Sequence, residues 1–458
     1  MITTDGTVYV GAFVDTPALG VLRWRDLCVR VDGTGTVVAV VPLPEVEKKP
    51  LTLEQIRDVC FPGMQCEVRD LRCGAGGAGG KAACVFLPGF IDTHIHASQY
   101  ANCGLFGSTT LLDWLNKYTF PLEASLADLQ LAREVYGAVV SSTLRNGTTT
   151  AVYYATIDAQ SSQLLATLCS ELNQRAFVGK VCMDREGPDF YLETTEQSLI
   201  ATEKLVNFCR DKLQDDKVRP ILTPRFAPTC SPELLSKLGA MSKSRRIPIQ
   251  THLSENEREI KWVAELFPEC SSYTDVYHKH GLLDKGTVLA HCVHLSREEI
   301  QLVKETGAGI SHCPISNSCL TSGECPVRHL LQEGIPIGLG TDVSGGYSTS
   351  ILATARHAHL VSRHVTMKQP EVEPLTVAEC LYLATLGGAT ALNMQDELGT
   401  FDVGKKFDAQ LLDLGAQDSP VDLFSWQGIS KEDVLSKWFF NGDDRNVKQV
   451  WVQGRSSL

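Results

Sequence analysis

The first reactive groups in this chain sit at the end of an apolar run, in Asp92-Thr93-His94-Ile95-His96. Residues i and i+2 of a strand face the same side, so His94 and His96 project together, about 6–7 Å apart at their backbones. Two imidazoles at that spacing can converge on one metal ion. Two histidines on an exposed strand end is the other reading of the same pair. Further along, other short apolar segments end in His252, in His291 and in Gly340-Thr341-Asp342. Imidazole and carboxylate ligands together suit zinc, with Fe2+ the close competitor. A catalytic ion keeps a position open for water and lowers the pKa of that water to about 7. Glu255 follows His252 by three residues, close enough to share the pocket and move protons as a general acid/base. The same glutamate also fits the first turn of the next helix.

The elements that must hold these groups are legible as a rhythm. Short apolar segments cover 84–96, 149–155, 176–184, 218–225, 247–252, 287–291, 307–313 and 335–342, with longer helix-like segments between them. Strands apolar throughout that alternate with helices indicate a parallel sheet. Eight such units indicate a (β/α)8 barrel of the α/β class, whose active site lies at the C-terminal ends of the strands. An open doubly wound sheet is the alternative. The ends of the chain differ. Residues 7–14 and 27–31 are β-prone, and Asp32-Gly33 followed by 34–41 reads as a hairpin, so the N-terminal part is expected to be a small antiparallel unit. After a helix-like stretch at 377–392, residues 407–414 and 447–454 again read as strands. The two ends are expected to pair into a small β-sandwich domain, with boundaries at 1–84, 85–395 and 396–458. The run GAGGAGG at 74–80 reads as a flexible loop outside catalysis.

Composition narrows the partners. The 458 residues carry 54 acidic and 42 basic side chains, a net charge of −12, which disfavours a nucleic-acid footprint. No apolar run approaches the roughly 20 residues of a membrane span. Residues 1–11 lack a basic region followed by an apolar one, so no secretory signal is expected. The 16 cysteines are scattered without a C-x-x-C pair, and read as mostly reduced, buried residues of a cytoplasmic protein.

The run Pro88-Gly89-Phe90-Ile91-Asp92-Thr93-His94-Ile95-His96, with Thr251-His252, Ala290-His291 and Gly340-Thr341-Asp342, resembles the amidohydrolase superfamily. Within it, the chain is most similar to the guanine deaminases. That similarity rests on Leu111-Leu112-Asp113-Trp114-Leu115, Lys117-Tyr118-Thr119-Phe120-Pro121, RAFVGKVCMD at 175–184, Thr223-Pro224-Arg225-Phe226 and Ser311-His312-Cys313-Pro314. It continues through GLGTDVSGGY at 338–347, LATLGGA at 383–389 and DSPVDLF at 418–424. The resemblance implies hydrolytic deamination of guanine to xanthine and ammonia, and a homodimer. It implies one zinc ion per subunit on His94, His96, His252 and Asp342, with Glu255 as proton shuttle and His291 steadying the reacting oxygen. Gln99, Arg225 and Phe226 would contact the purine, with His252 and Asp342 also against it and Asp342 counted among the catalytic groups. The alternatives are a deaminase or chlorohydrolase of another purine, pyrimidine or triazine, and, more remotely, a non-catalytic scaffold.

Other residues carry weaker expectations. Trp114 and Tyr118 read better as core packing than as pocket wall. His312 either lines the pocket or orients a loop. Asp92 and Asp113 read as supporting groups. Lys180 is the one obvious candidate for the carboxylated lysine of two-metal relatives, and its mid-segment position reads as that of a structural or pocket-neighbour lysine. Ile315 stands where relatives of the family often carry a polar residue, which leaves the substrate contacts of its loop open. The tail Ser456-Ser457-Leu458 is near, but not equal to, a peroxisomal Ser-Lys-Leu address and also resembles a C-terminal peptide ligand.

Overall fold

The computed structural model describes residues 6–43, 52–64, 66–72, 84–105 and 111–457; the glycine-rich run 74–80 and the terminal Leu458 lie outside them. Toward the N-terminus come β1 (Thr7–Ala18), β2 (Val21–Val31), β3 (Val37–Pro42), β4 (Glu67–Asp70) and β5 (Cys84–Pro88). The middle of the chain supplies β6 (Phe90–His96), β7 (Thr148–Tyr154), β8 (Arg175–Gly179), β9 (Val181–Cys182), β10 (Val218–Pro220) and β11 (Thr223–Pro224). It continues with β12 (Ile249–Leu253), β13 (Thr287–His291), β14 (Gly309–His312) and β15 (Ile337–Leu339), and the chain ends with β16 (Ala409–Asp413), β17 (Val447–Val452) and β18 (Arg455–Ser456).

Eight parallel strands run in the order β10-β8-β7-β6-β15-β14-β13-β12. A parallel bridge from Leu222, just past β10, to Ile249 on β12 closes the sheet into the expected barrel. Strands β6, β7, β8, β13, β14 and β15 are buried along their whole length, which is why they read as continuous apolar runs. The helices between them start at side-chain caps such as Asp128, Asp158, Ser231 and Ser350.

The segment 84–96, which reads as one strand, is two. β5 pairs with β16 in the terminal sheet, while β6 pairs with β7 in the barrel. The break falls at Pro88-Gly89. Proline has no N–H to give a ladder, and a Cβ at Gly89 would lie 2.1 Å from the Thr149 hydroxyl, so only glycine lets the chain pass β7.

The two ends of the chain share one eight-stranded sheet, β18-β17-β16-β5-β1-β2-β3, with β4 also on β1. The hairpin at Asp32-Gly33 forms between antiparallel β2 and β3. The N-terminal part is not purely antiparallel, however: β4 and β5 both pair with β1 in parallel, and a helix at Leu53–Cys60, capped by Thr52, precedes β4. A parallel pair needs a crossover, and this helix lies in the one leading to β4. Trp451 on β17 lies 5.4 Å from the ring of Tyr9 on β1. Those strands are three steps apart in the sheet, about 14 Å if it were flat. The sheet therefore folds over a shared core of Tyr9, Phe13, Phe86, Phe401, Phe407 and Trp451.

Cys28, Cys182, Cys230, Cys292 and Cys380 are among the buried free thiols, and Cys84 is disulfide-bonded. No helix among the described residues is long and apolar enough to cross a membrane.

Candidate active site

At the C-terminal end of the barrel, β6 brings in His94 and His96, β12 His252, β13 His291, and the turn after β15 brings Asp342. One ligand atom from each of His94, His96, His252 and Asp342 lies within 4.8 Å of the others. The Nε2 atoms of His96 and His252 face each other at 3.2 Å, and Asp342 Oδ1 is 3.1 Å from His94 Nε2 and 3.3 Å from His96 Nε2. His94 Nε2 makes no hydrogen bond, although it is buried. Buried nitrogens that converge without partners are what a cation would satisfy, and three imidazoles with one carboxylate suit zinc or Fe2+.

The surrounding contacts aim these groups. His252 Nδ1 lies 2.6 Å from the Arg225 carbonyl, which can only accept, so Nδ1 carries the proton and Nε2 presents its lone pair inward. Asp92 accepts from the Thr341 hydroxyl at 2.6 Å and from the Thr341 and His94 backbone N–H groups at 3.1 and 3.2 Å, which ties the end of β6 to the turn that carries Asp342. His291 Nδ1 meets Asn317 Oδ1 at 2.9 Å. Ser254 (φ +50°), His291 (+73°), Cys292 (+51°) and Asp342 (+47°) all hold left-handed backbone, which side-chain-bearing residues seldom adopt. Such strain gathers where geometry is over-determined by function.

Burial lowers the basicity of the imidazoles: His96 falls to about 4, and His94 and His252 also drop. Burial alone would raise Asp342, but His94 and His96 against it hold its carboxylate well below the usual range. The site thus presents neutral imidazoles and an anionic carboxylate.

Glu255 lies beside this cluster, with Oε2 3.5 Å from His291 Nε2. Ser322 donates to its other oxygen at 3.0 Å. Burial first, and the Asp342 charge second, raise its carboxyl to about 8. Glu255 is not the helix-capping glutamate. Asn256 caps the helix Glu257–Leu266, and Glu259 completes that cap by accepting from the backbone N–H groups of Glu255 and Asn256. Glu255 is left with its side chain in the pocket.

The cavity beside the cluster is walled by Gln99, Trp114, Leu115, Arg225, Phe226 and Leu320, and bounded by His96, His252, Glu255, Glu259, His291 and Asp342. Trp114 therefore faces the pocket as well as packing, a correction to core packing alone. Its indole donates to the Leu105 carbonyl at 3.1 Å, and a π-helical turn at Leu115–Thr119 follows it. Tyr118 packs, half-buried, against an apolar group that includes Trp114, Leu115 and Phe120. His312 is buried but does not line this cavity, and Asp113 is exposed. Lys180 is buried and donates to Glu193 and to the Ser198 hydroxyl, outside the four-ligand cluster. Ile315 is fully buried.

The sequence reading missed Glu123 and Tyr154. Glu123, in the helix Phe120–Ser125, is completely buried and receives Arg225 Nη1 at 2.6 Å, Arg225 Nη2 at 3.2 Å, Tyr191 Oη at 2.7 Å and Gln99 Nε2 at 3.0 Å. It lies two residues past the Phe120-Pro121 motif, and nothing in the spacing marks it. Tyr154 ends β7, with its ring 4.4 Å from that of His96 and 4.9 Å from that of His94.

Comparison with known proteins identifies the family. The amidohydrolase family matches residues 85–456. A probable guanine deaminase of Schizosaccharomyces pombe is 46% identical over 98% of this chain and 82% of its own length. The guanine deaminase of Homo sapiens is 44% identical over 94% of this chain and 92% of its own. A crystal structure of guanine deaminase from C. acetobutylicum, with guanine bound in its active site, superposes with a TM-score of 0.86 at 32% identity, covering 98% of this chain and 99% of that one.

Proposed function

The chain belongs to the amidohydrolase family and, within it, to the guanine deaminases, and from that membership we propose that it hydrolyses guanine to xanthine and ammonia. The observation that carries the proposal is the convergence of His94, His96, His252 and Asp342 within 4.8 Å, with the Glu255 carboxyl beside them. Those four residues would hold one zinc ion, which when bound supplies Lewis acidity and makes water a nucleophile near neutral pH.

The remaining steps belong to the protein's own side chains. Guanine C2 is a poor electrophile until N3 is protonated. Glu255 takes a proton from the attacking water and delivers it to N3 as the oxygen–C2 bond forms. The same carboxylate then takes the remaining proton from the new C2 hydroxyl and passes it to the amine nitrogen, the C2–N bond breaks as C2=O forms, and ammonia leaves. A carboxyl raised toward neutrality suits both directions of transfer. His291, 3.5 Å from Glu255 and 3.8 Å from Asp342, would steady the oxygen. Arg225 would donate to the purine carbonyl, Gln99 would contact the same ring and Phe226 would wall it, with His252 and Asp342 at its reacting edge. The barrel that carries this chemistry is assigned to 85–395 and the β domain to 1–84 and 396–458, with β5 (Cys84–Pro88) joining the sheet of the β domain.

The test measures bound metal and guanine-to-xanthine conversion on one preparation, followed by ammonia release from a panel of purines, pyrimidines and triazines. About one zinc per chain and turnover of guanine are expected. Turnover of another ring with guanine inert would overturn the proposal.

A further inference from the structure

Glu123 has no part in the proton chemistry above, yet it is a fully buried carboxylate with four hydrogen bonds. Two of them tie down the Arg225 guanidinium through Nη1 and Nη2, and its other three N–H groups meet no hydrogen-bond acceptor among the described residues. A third fixes Gln99. The Gln99 amide has the Glu123 carboxylate on one side and the Ser344 backbone N–H, at 3.3 Å, on the other. Reversing the amide would set oxygen against carboxylate and N–H against N–H, so only one orientation satisfies both neighbours. Tyr191 donates the fourth bond and pins the carboxylate.

The charge matters as much as the geometry. Arg225 is buried at the pocket wall, 2% exposed, and among the described residues Glu123 is the carboxylate paired with it. An unpaired buried guanidinium would draw any anion that fits the cavity. We propose that Glu123 is the specificity-setting positioning residue of this pocket: it holds Arg225 and Gln99 in one frame and cancels the Arg225 charge, so that the pocket takes a neutral, carbonyl-bearing ring in preference to an anionic one. This rests on the reading of the cavity as a purine site.

The experiment uses two unreactive rings at one pH: hypoxanthine, which is neutral with a carbonyl at C6, and purine-6-carboxylate, which is anionic. Their dissociation constants are measured by calorimetry on the whole protein and on Glu123→Gln, Glu123→Asp and Tyr191→Phe, with metal content and guanine kinetics alongside. Wild type is expected to favour hypoxanthine. In Glu123→Gln the hypoxanthine-to-carboxylate preference should shift toward the anion by about tenfold or more. Its KM for guanine should rise more than its kcat falls, with metal content unchanged. Glu123→Asp should restore most of the preference, and Tyr191→Phe, which keeps the charge, should shift it little. These two variants also decide the matter if Glu123→Gln fails to fold: Tyr191→Phe shifting toward the anion, or Glu123→Asp binding the anion better than the neutral ring, overturns the assignment. An unchanged preference in a folded Glu123→Gln overturns it while leaving guanine turnover standing. If neither ring binds wild type and guanine is inert, the purine-site reading falls and takes this inference with it.

Discussion

In the terminal sheet, Tyr9 stacks on Phe407 at 4.4 Å, Phe13 stacks on Phe86 at 4.4 Å, and Trp451 meets Tyr9 edge-on at 5.4 Å. At the mouth of the barrel, four rings are packed nearly as tightly, but they are imidazoles: His94 lies 4.9 Å from His96 and 4.8 Å from His252, and His252 lies 5.4 Å from His291. The aromatic cluster gains free energy by leaving water. The histidine cluster loses it, because its nitrogens are buried short of partners beside a buried carboxylate. Left-handed backbone at Ser254, His291, Cys292 and Asp342 sharpens the difference. The closed barrel and its folded neighbour supply the stability that lets the strand ends hold so unfavourable an arrangement.

Perturbing the mouth should cost function and perturbing the terminal sheet should cost stability. The largest effect is expected from Asp342→Asn, which removes the one carboxylate of the ligand set. Bound metal should fall and turnover should drop by about a thousandfold or more, read by metal analysis and steady-state kinetics. Retention of both would remove Asp342 from the centre. Glu255→Gln should lower kcat by about 10²–10⁴-fold with metal content unchanged, and near-normal turnover would refute the proton shuttle. Trp451→Ala should destabilise the fold by about 3–5 kcal/mol in denaturant unfolding. Its kcat per folded molecule should stay at the wild-type value, and a matching loss of kcat would show that the two regions are coupled.

The smallest effect is a pH dependence. Glu259, which completes the cap next to Glu255, is raised from 4.5 to about 7, first by burial and then by the Glu255 charge. A carboxyl raised on folding stabilises fully below its unfolded pKa, and that contribution is lost as pH rises through the folded value. Glu255, raised from 4.5 to about 8, acts in the same sense. Metal-free protein should therefore lose stability as pH rises from about 5 to about 8. Glu259→Gln should flatten that slope and Glu255→Gln/Glu259→Gln should flatten it further, measured by unfolding across pH. A slope that persists in the double variant would place its origin elsewhere.

Much of the candidate site is legible in the sequence alone. Strand alternation puts His94 and His96 on one side, and the rule that barrel sites gather at strand ends marks His252, His291 and Asp342. Resemblance added Gln99, Arg225 and Phe226, all of which border the cavity. Glu123 escaped because its partner Arg225 is 102 residues away and the pair shares no element. Ser322, which donates to Glu255 across 67 residues, escaped for the same reason. The break at Pro88-Gly89 was hidden because apolarity runs unbroken through two strands that belong to different sheets.

By itself the sequence determined the number and type of the barrel strands, and the reactive residues at their ends, because alternation and apolar runs are local properties of the chain. Tertiary structure decided which of two neighbouring glutamates caps a helix and which faces the pocket. It decided that the ends of the chain fold one sheet over an aromatic core, and that a buried carboxylate neutralises Arg225. Those outcomes depend on contacts between residues far apart in sequence, and no local spacing encodes them.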